Sequence, residues 1–245
     1  MAERGYREPG EKPRRFYKQV DIAPADGGGF AVRLDTRQLR GPKGAPVVLP
    51  TRALAELVAA EWAGQGESLE LAQMHATRLA NTAIEAVPLA RDATAQAVAD
   101  YAATDLLCYY ATDPVGLVAR QMERWEPVLA RAEAEAGLRF VRASGIVHQV
   151  QPPQTLERVK AIALDHDDFA LTGLAFGAAL FGSAVLTLAV RNGWLGGEDA
   201  FALSRLDEAW QEEQWGIDAE AAERTARLQG EAALLQRWFQ GLPTP

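Results

Sequence analysis

One cysteine, Cys108, stands in 245 residues. No internal disulfide can form, which fits a reducing compartment. Cys108 lies in an apolar stretch between Leu107 and Tyr109 and reads as a buried, inert thiol. Histidine is nearly as scarce: His75, His148 and His166 are scattered and none belongs to an H-E-x-x-H motif. With one cysteine no zinc spacing exists, so no metal site is expected. There is no phosphate loop and no G-x-G-x-x-G; the glycine triplet at 27–29 reads as a hairpin turn. "FGSAV" lacks the second glycine of a nucleophile elbow. Asp165, Asp167 and Asp168 could suggest a cation, but acids at the start of a helix are favoured by its dipole. Gly41-Pro42-Lys43-Gly44 has the spacing of an RNA-clamping loop, yet it joins strand-like segments rather than helices. Carboxylate pairs leave little trace in a sequence. Still, nothing here assembles a nucleophile, a metal or a cofactor, and no catalytic residue and no cofactor are expected.

Targeting signals are missing too. The first fifteen residues, "MAERGYREPGEKPRR", hold acids and prolines and no apolar core. Neither a secretory signal nor a transit peptide is indicated, and a bacterial cytoplasmic protein is expected. One segment pulls the other way. Residues 169–190, "FALTGLAFGAALFGSAVLTLAV", run 22 positions without a charge, enough to span a bilayer. Gly173 and Gly177 even make a small-xxx-small pair. The run is diluted by three glycines, two threonines and a serine, and it is solitary. The expectation is a buried hairpin or broken helix, interrupted between Gly177 and Ser183.

Net charge is −8, unevenly spread: residues 1–52 carry 11 Lys/Arg against 6 Asp/Glu, and the remainder 14 against 27. A basic arm on an acidic body is a solvated tail or a contact for nucleic acid or an acidic protein face. The second option would use Arg4, Arg7, Lys12, Arg14, Arg15 and Lys18.

Along the chain, "FYKQVDI" (16–22) and "FAVRL" (30–34) alternate around a "PADGGG" turn and read as a β-hairpin. "RQLRG" and "PVVLP" continue the β character. At Thr51 the texture turns helical, with Leu54, Val58 and Trp62 on one stripe, so Trp62 is expected in the core. Helices are expected over 75–87, 91–111, 115–137, 155–166, 168–190, 198–215 and 218–240, with Pro127 a kink or a new first turn. Residues 138–151 return to strand texture and could form a hairpin that rejoins the first sheet. The fold class is α+β: a small N-terminal antiparallel-sheet α+β domain (1–85), then a larger C-terminal helical bundle (86–245).

"RLDEAWQEEQWG" (205–216) places two tryptophans among four acidic residues. On a wheel at about 100° per residue, Leu203, Leu206, Trp210 and Ile217 form one stripe within about 60°. Trp210 is expected as its core anchor. Glu208, Gln211 and Trp215 fall on a second face more than a quarter turn away. Trp215 there either caps the helix against the same chain or belongs to a protein-binding face, since tryptophan is enriched in interface hot spots.

"RRFYKQV", "LDTRQL", "LPTRALAELVAAEWAGQ", "YAATDLLCYYA", "FGSAVLTLAV" and "DEAWQEEQWG" together, in that order, resemble the assembly chaperones of the F-type ATP synthase head, a family of mitochondria and alphaproteobacteria. Thr36 departs from the glycine expected after Leu34-Asp35, and "RGPKGAP" is looser than the family's turn. The resemblance implies a two-part α+β and helical fold and a soluble protein with no catalysis, metal or nucleotide; a monomer is expected. It implies transient binding of the unassembled α subunit, shielding of its subunit interface and handover to the β subunit. Glu208, Gln211 and Trp215, with Glu212 beside them, are then the client-binding candidates, and Trp62, Trp210 and Asp105 are structural. The alternatives are a nucleic-acid or ribosome-associated protein using the basic arm, and an enzyme with no recognisable motif.

Overall fold

The computed structural model describes residues 12–145 and 147–243. The chain divides into two units, one ending at Asn81 and the other starting at Thr82. The fold is α+β: a small antiparallel sheet near the N-terminus, then a helical region.

In the first unit, β1 (Val20–Pro24) and β2 (Phe30–Leu34) pair antiparallel from Val20↔Leu34 to Pro24↔Phe30. The turn between them needs the glycine triplet, because Gly27, Gly28 and Gly29 all have positive φ. Strand β1 starts at Val20, later than the alternation from Phe16 suggests. Instead the Lys18 and Gln19 amides donate to the Asp35 carboxylate. β3 (Arg37–Gln38) and β4 (Val48–Leu49) both pair with β2. The GPKG segment is a tight turn, Gly44 N–H donating to Gly41 O and Gly41 N–H to Ala45 O.

Helix α1 (Arg52–Ala63) starts where Thr51 accepts the Leu54 amide. It buries Leu54, Ala55, Val58, Ala59 and Trp62. Tyr17 packs its ring 5.7 Å from the Trp62 ring and donates its hydroxyl to Trp62 O at 2.6 Å. The neighbouring Glu61 accepts the amides of Ala76 and Thr77 and the Thr77 hydroxyl, at 2.7–2.8 Å. It thereby satisfies the free N–H groups at the start of α2 (His75–Glu85). The Glu61-Trp62 pair is explained by packing and capping.

The second unit carries α3 (Arg91–Ala103), α4 (Val115–Ala136), α5 (Pro153–Leu164), α6 (Asp168–Phe181), α7 (Ala184–Arg191), α8 (Gly197–Ser204), α9 (Leu206–Trp215) and α10 (Ala219–Gln240). Three expectations are corrected. The helix read over 91–111 stops at Ala103, and Tyr109–Tyr110 form β5. Among the described residues of 138–151, the one ladder is β6 (Ala143–Ser144), parallel to β5 within this unit, so the rejoined first sheet is replaced by this local pairing. The helix read over 198–215 is two helices meeting at Arg205. α4 runs through Pro127 without a break.

The uncharged run at 169–190 is α6 and α7, separated at Gly182 (φ 63°) and Ser183. Its small-xxx-small pair serves a packed core. A Cβ on Gly173 would lie 2.6 Å from the Phe239 ring, and one on Gly177 2.6 Å from Thr187 and 2.7 Å from Leu235. Trp238, fully buried, donates its indole N–H to Phe169 O at 3.0 Å. Among the described residues no helix is long and apolar enough to cross a membrane.

Candidate functional site

Helix α9 has two faces with different fates. Leu206 is its one buried residue. Around it a polar clamp holds the helix to α4. The Gln121 amide donates to Asp207 at 2.6 Å and accepts the Ala111 amide at 2.7 Å. Arg120 forks onto Glu213 at 2.7 and 3.0 Å and lies over the Trp210 ring, 4.6 Å from its centroid. The Arg120 hydrogen bond lowers the Glu213 carboxyl below its ordinary range, and Glu213 raises Arg120 in return. The Trp210 ring tip rests on Gly116, where a Cβ would approach to 2.7 Å. A glycine is needed there because the ring occupies the space of any side chain.

The opposite face is open. Trp215 is 79% exposed, and Glu208 and Gln211 are exposed beside it. Glu212 is half-buried because it holds Arg205 at 3.0 Å, while Glu208 stands 4.0 Å from the same guanidinium. The helix ends at Gly216 (φ 83°), which turns the chain toward α10. This corrects two readings. Ile217 lies beyond that turn and is 50% exposed, so it leaves the Leu203, Leu206 and Trp210 stripe. Trp210 is half-buried in a cation-capped seat rather than sealed in the core. Between α9 and the start of α10 run two connected recesses of about 690 and 270 Å³, sharing Arg205, Glu208, Asp218 and Ala221.

Solved structures share this architecture. A family model described as ATP12 chaperone protein matches residues 14–133. The crystal structure of Atp12 from Paracoccus denitrificans superposes with a TM-score of 0.84 at 39% identity, covering 93% of this chain and 97% of that one. The chain belongs to the ATP12 chaperone family. The Atu1473 protein of Agrobacterium tumefaciens superposes with a TM-score of 0.89 at 39% identity, over 94% of this chain and 87% of that one. The mitochondrial protein atp12 of Schizosaccharomyces pombe is 25% identical over 227 residues, 86% of this chain and 76% of its own length. Helix α9 lies beyond the residues of the family match.

The other candidates from the sequence have structural surroundings in this family member. Asp105 is fully buried. One carboxylate oxygen accepts from Leu107 N (3.2 Å) and the Ser183 hydroxyl (2.7 Å), the other from Val185 N (3.0 Å). Burial pushes its pKa up to about 6 against the pull of these donors. Asp167 caps α6 through Ala170 N, and Asp168 pairs with Arg91, which also donates to the carbonyls of Leu164 and His166. The acidic cluster is thus capping and pairing. Cys108 is buried, and its thiol is pushed well above the ordinary range by desolvation. Among the described residues no group of three or more His, Cys, Asp or Glu could hold a metal. Of the basic arm, Arg4 and Arg7 lie outside the described residues. Lys12 pairs with Glu70, and Arg15 donates to the carbonyls of Ala63 and Gln65 while lying over the Tyr17 ring.

Sequence reasoning missed the α4 side of the clamp. Gly116, Arg120 and Gln121 sit in "VGLVARQMERW", which reads as an ordinary amphipathic helix. It also missed Ile217 and the α10 wall, because both depend on where Gly216 sends the chain.

Proposed function

We propose that this chain binds the unassembled α subunit of the ATP synthase catalytic head, shields its subunit interface and hands it to the β subunit. It does so as a monomer in the bacterial cytoplasm, without catalysis and without nucleic acid. Membership of a chaperone family supports the class. The observation that carries the reading is Trp215, 79% exposed on a helix whose other face is clamped to α4. A large aromatic left in water on a helix joined to α4 costs solvation and contributes nothing to the core. A partner that covers it recovers that cost.

The physical task fits such a face. A ring subunit alone exposes an obligate-type interface, large and apolar, and exposed apolar surface drives aggregation. A chaperone has to cover it and later yield to the true neighbour. One aromatic anchor among charged groups gives selectivity without the affinity of a permanent interface. Glu208, Gln211 and Glu212 would orient the client around Trp215.

Glu208→Lys tests this. Glu208 is exposed and its nearest cation is 4.0 Å away, so the melting temperature should stay within about 2 °C of the parent. Protection of isolated α subunit from aggregation, followed by light scattering, should be lost. A folded variant that protects as well as the parent removes Glu208 and its face from the site.

A further inference from the structure

We infer that the groove between α9 and α10 seats a client segment presenting one carboxylate beside an apolar side chain. This rests on the functional reading above and extends it from one helix face to a two-walled site.

The α10 helix has two unlike halves. Ala232, Leu234, Leu235, Trp238 and Phe239 are buried, whereas no residue from 219 to 231 is. The first half therefore contributes little to the core. What it contributes is one wall of the 690 Å³ groove, with Arg224, Thr225 and Arg227 facing Glu208 and Arg205. Small-molecule pockets are mostly apolar and enclosed. This groove is open and charged, the character of a surface that takes polypeptide.

Charge and apolar surface identify the occupant. Arg224 and Arg227 form no ion pair among the described residues. Glu220 and Glu223 stand four residues before them, in the favourable orientation for helical pairing, yet these pairs are not closed. Exposed pairs of this kind are weak, so Glu220 and Glu223 compete little with an incoming carboxylate. Two guanidinium groups three residues apart on one helix face offer forked donors to such a group. The same groove carries Glu208, Asp218, Glu220 and Glu223. A phosphate backbone or an acidic run would be repelled, whereas a single carboxylate aimed at the arginines is tolerated. The adjoining recess ends at Trp215 and Ile217, 79% and 50% exposed, which supply the apolar contact.

The test uses the full chain, immobilised, with isolated ATP synthase α subunit as the probe in solution. Arg224→Glu/Arg227→Glu should weaken binding at least tenfold, and Arg224→Lys/Arg227→Lys less. Both variants should melt with the parent, because this half of α10 is unburied. Binding by the Glu pair within twofold of the parent, while Glu208→Lys loses it, overturns the groove and leaves the functional reading intact. If the parent binds no α subunit, the functional reading fails. The groove is then decided by fluorescence anisotropy with a fluorescein-labelled peptide carrying one glutamate between leucines, and with its lysine counterpart. A tenfold preference for the glutamate peptide, abolished by the Glu pair, upholds the groove. Equal binding, or none, overturns it.

Discussion

Asp105 makes stability depend on pH in the direction opposite to that of ion-paired carboxylates. Paired acids usually have lowered pKa values and stabilise a fold as pH rises. Asp105 instead has its pKa raised from 3.8 to about 6, with burial the leading cause. The folded state then holds a proton that the unfolded state has already released. Between about pH 4 and 6 the folded state binds more protons, so this group's contribution falls as pH rises and is fully lost above about pH 6. The whole gap is worth about 3 kcal/mol at about 1.36 kcal/mol per pH unit. Integrating the two titrations gives about 2 kcal/mol between pH 4.5 and 7.5.

Asp105→Asn isolates that term. Both carboxylate oxygens accept from donors: Leu107 N and the Ser183 hydroxyl on one, Val185 N on the other. The amide nitrogen of asparagine must oppose one of these, a pH-independent loss of about 1–3 kcal/mol. The slope, however, disappears. Urea unfolding at pH 4.5, 5.5, 6.5 and 7.5 should show the parent gaining about 2 kcal/mol on the variant as pH falls across that range. Other titrating groups cancel in the difference. Parallel curves, within about 0.5 kcal/mol, would mean that the three donors outweigh burial and that Asp105 is ionised throughout.

Trp62→Ala should cost about 3–5 kcal/mol in chemical unfolding, as for other buried large aromatics. Trp62→Phe should cost about 1 kcal/mol or less, because the indole N–H is buried without a partner among the described residues and its removal recovers part of the lost packing. Gly177→Ala should destabilise by about 1–2 kcal/mol, since its Cβ would press on Thr187 and Leu235. Gly230→Ala, with nothing within 4 Å, should stabilise α10 by about 0.5–1 kcal/mol, and equal shifts in the two melting curves would refute the packing argument.

Periodicity carried the reading where one element was self-sufficient. The glycine triplet and the alternation around it announce β1 and β2, and Thr51 with the Leu54, Val58 and Trp62 stripe announces α1. It failed where a distant partner decides. Nothing between Ser204 and Leu206 breaks a helix, so a wheel drawn from Leu203 crosses from α8 into α9. Its angles hold for Leu206 to Trp215 but not for Ile217, because Gly216 takes a positive φ. The helix read through to Ala111 ends early because Asp105 turns its carboxylate to Leu107 N and the start of α7. That contact spans about eighty positions and leaves no periodic trace. The charged run at 165–168 was legible, because capping is a local event.

The two tryptophans of α9 explain each other. Trp210 lies on Gly116 under Arg120, and Arg120 is fixed in turn by Glu213, so the ring, the cation and the carboxylate restrain one another. Leu206 is the one buried residue of α9, and Trp210 on Gly116 together with the Gln121–Asp207 bond joins the helix to α4. A helix held by apolar burial would have to present a wide apolar stripe inward, and a ten-residue helix has few positions to spare. Polar clamping frees the remaining positions. Trp215 can then stay exposed at the end of a helix that is joined to α4. On the function proposed above, an exposed aromatic in a fixed place would gain affinity from preorganisation rather than from area. On that same proposal, the inward tryptophan is what presents the outward one to a client.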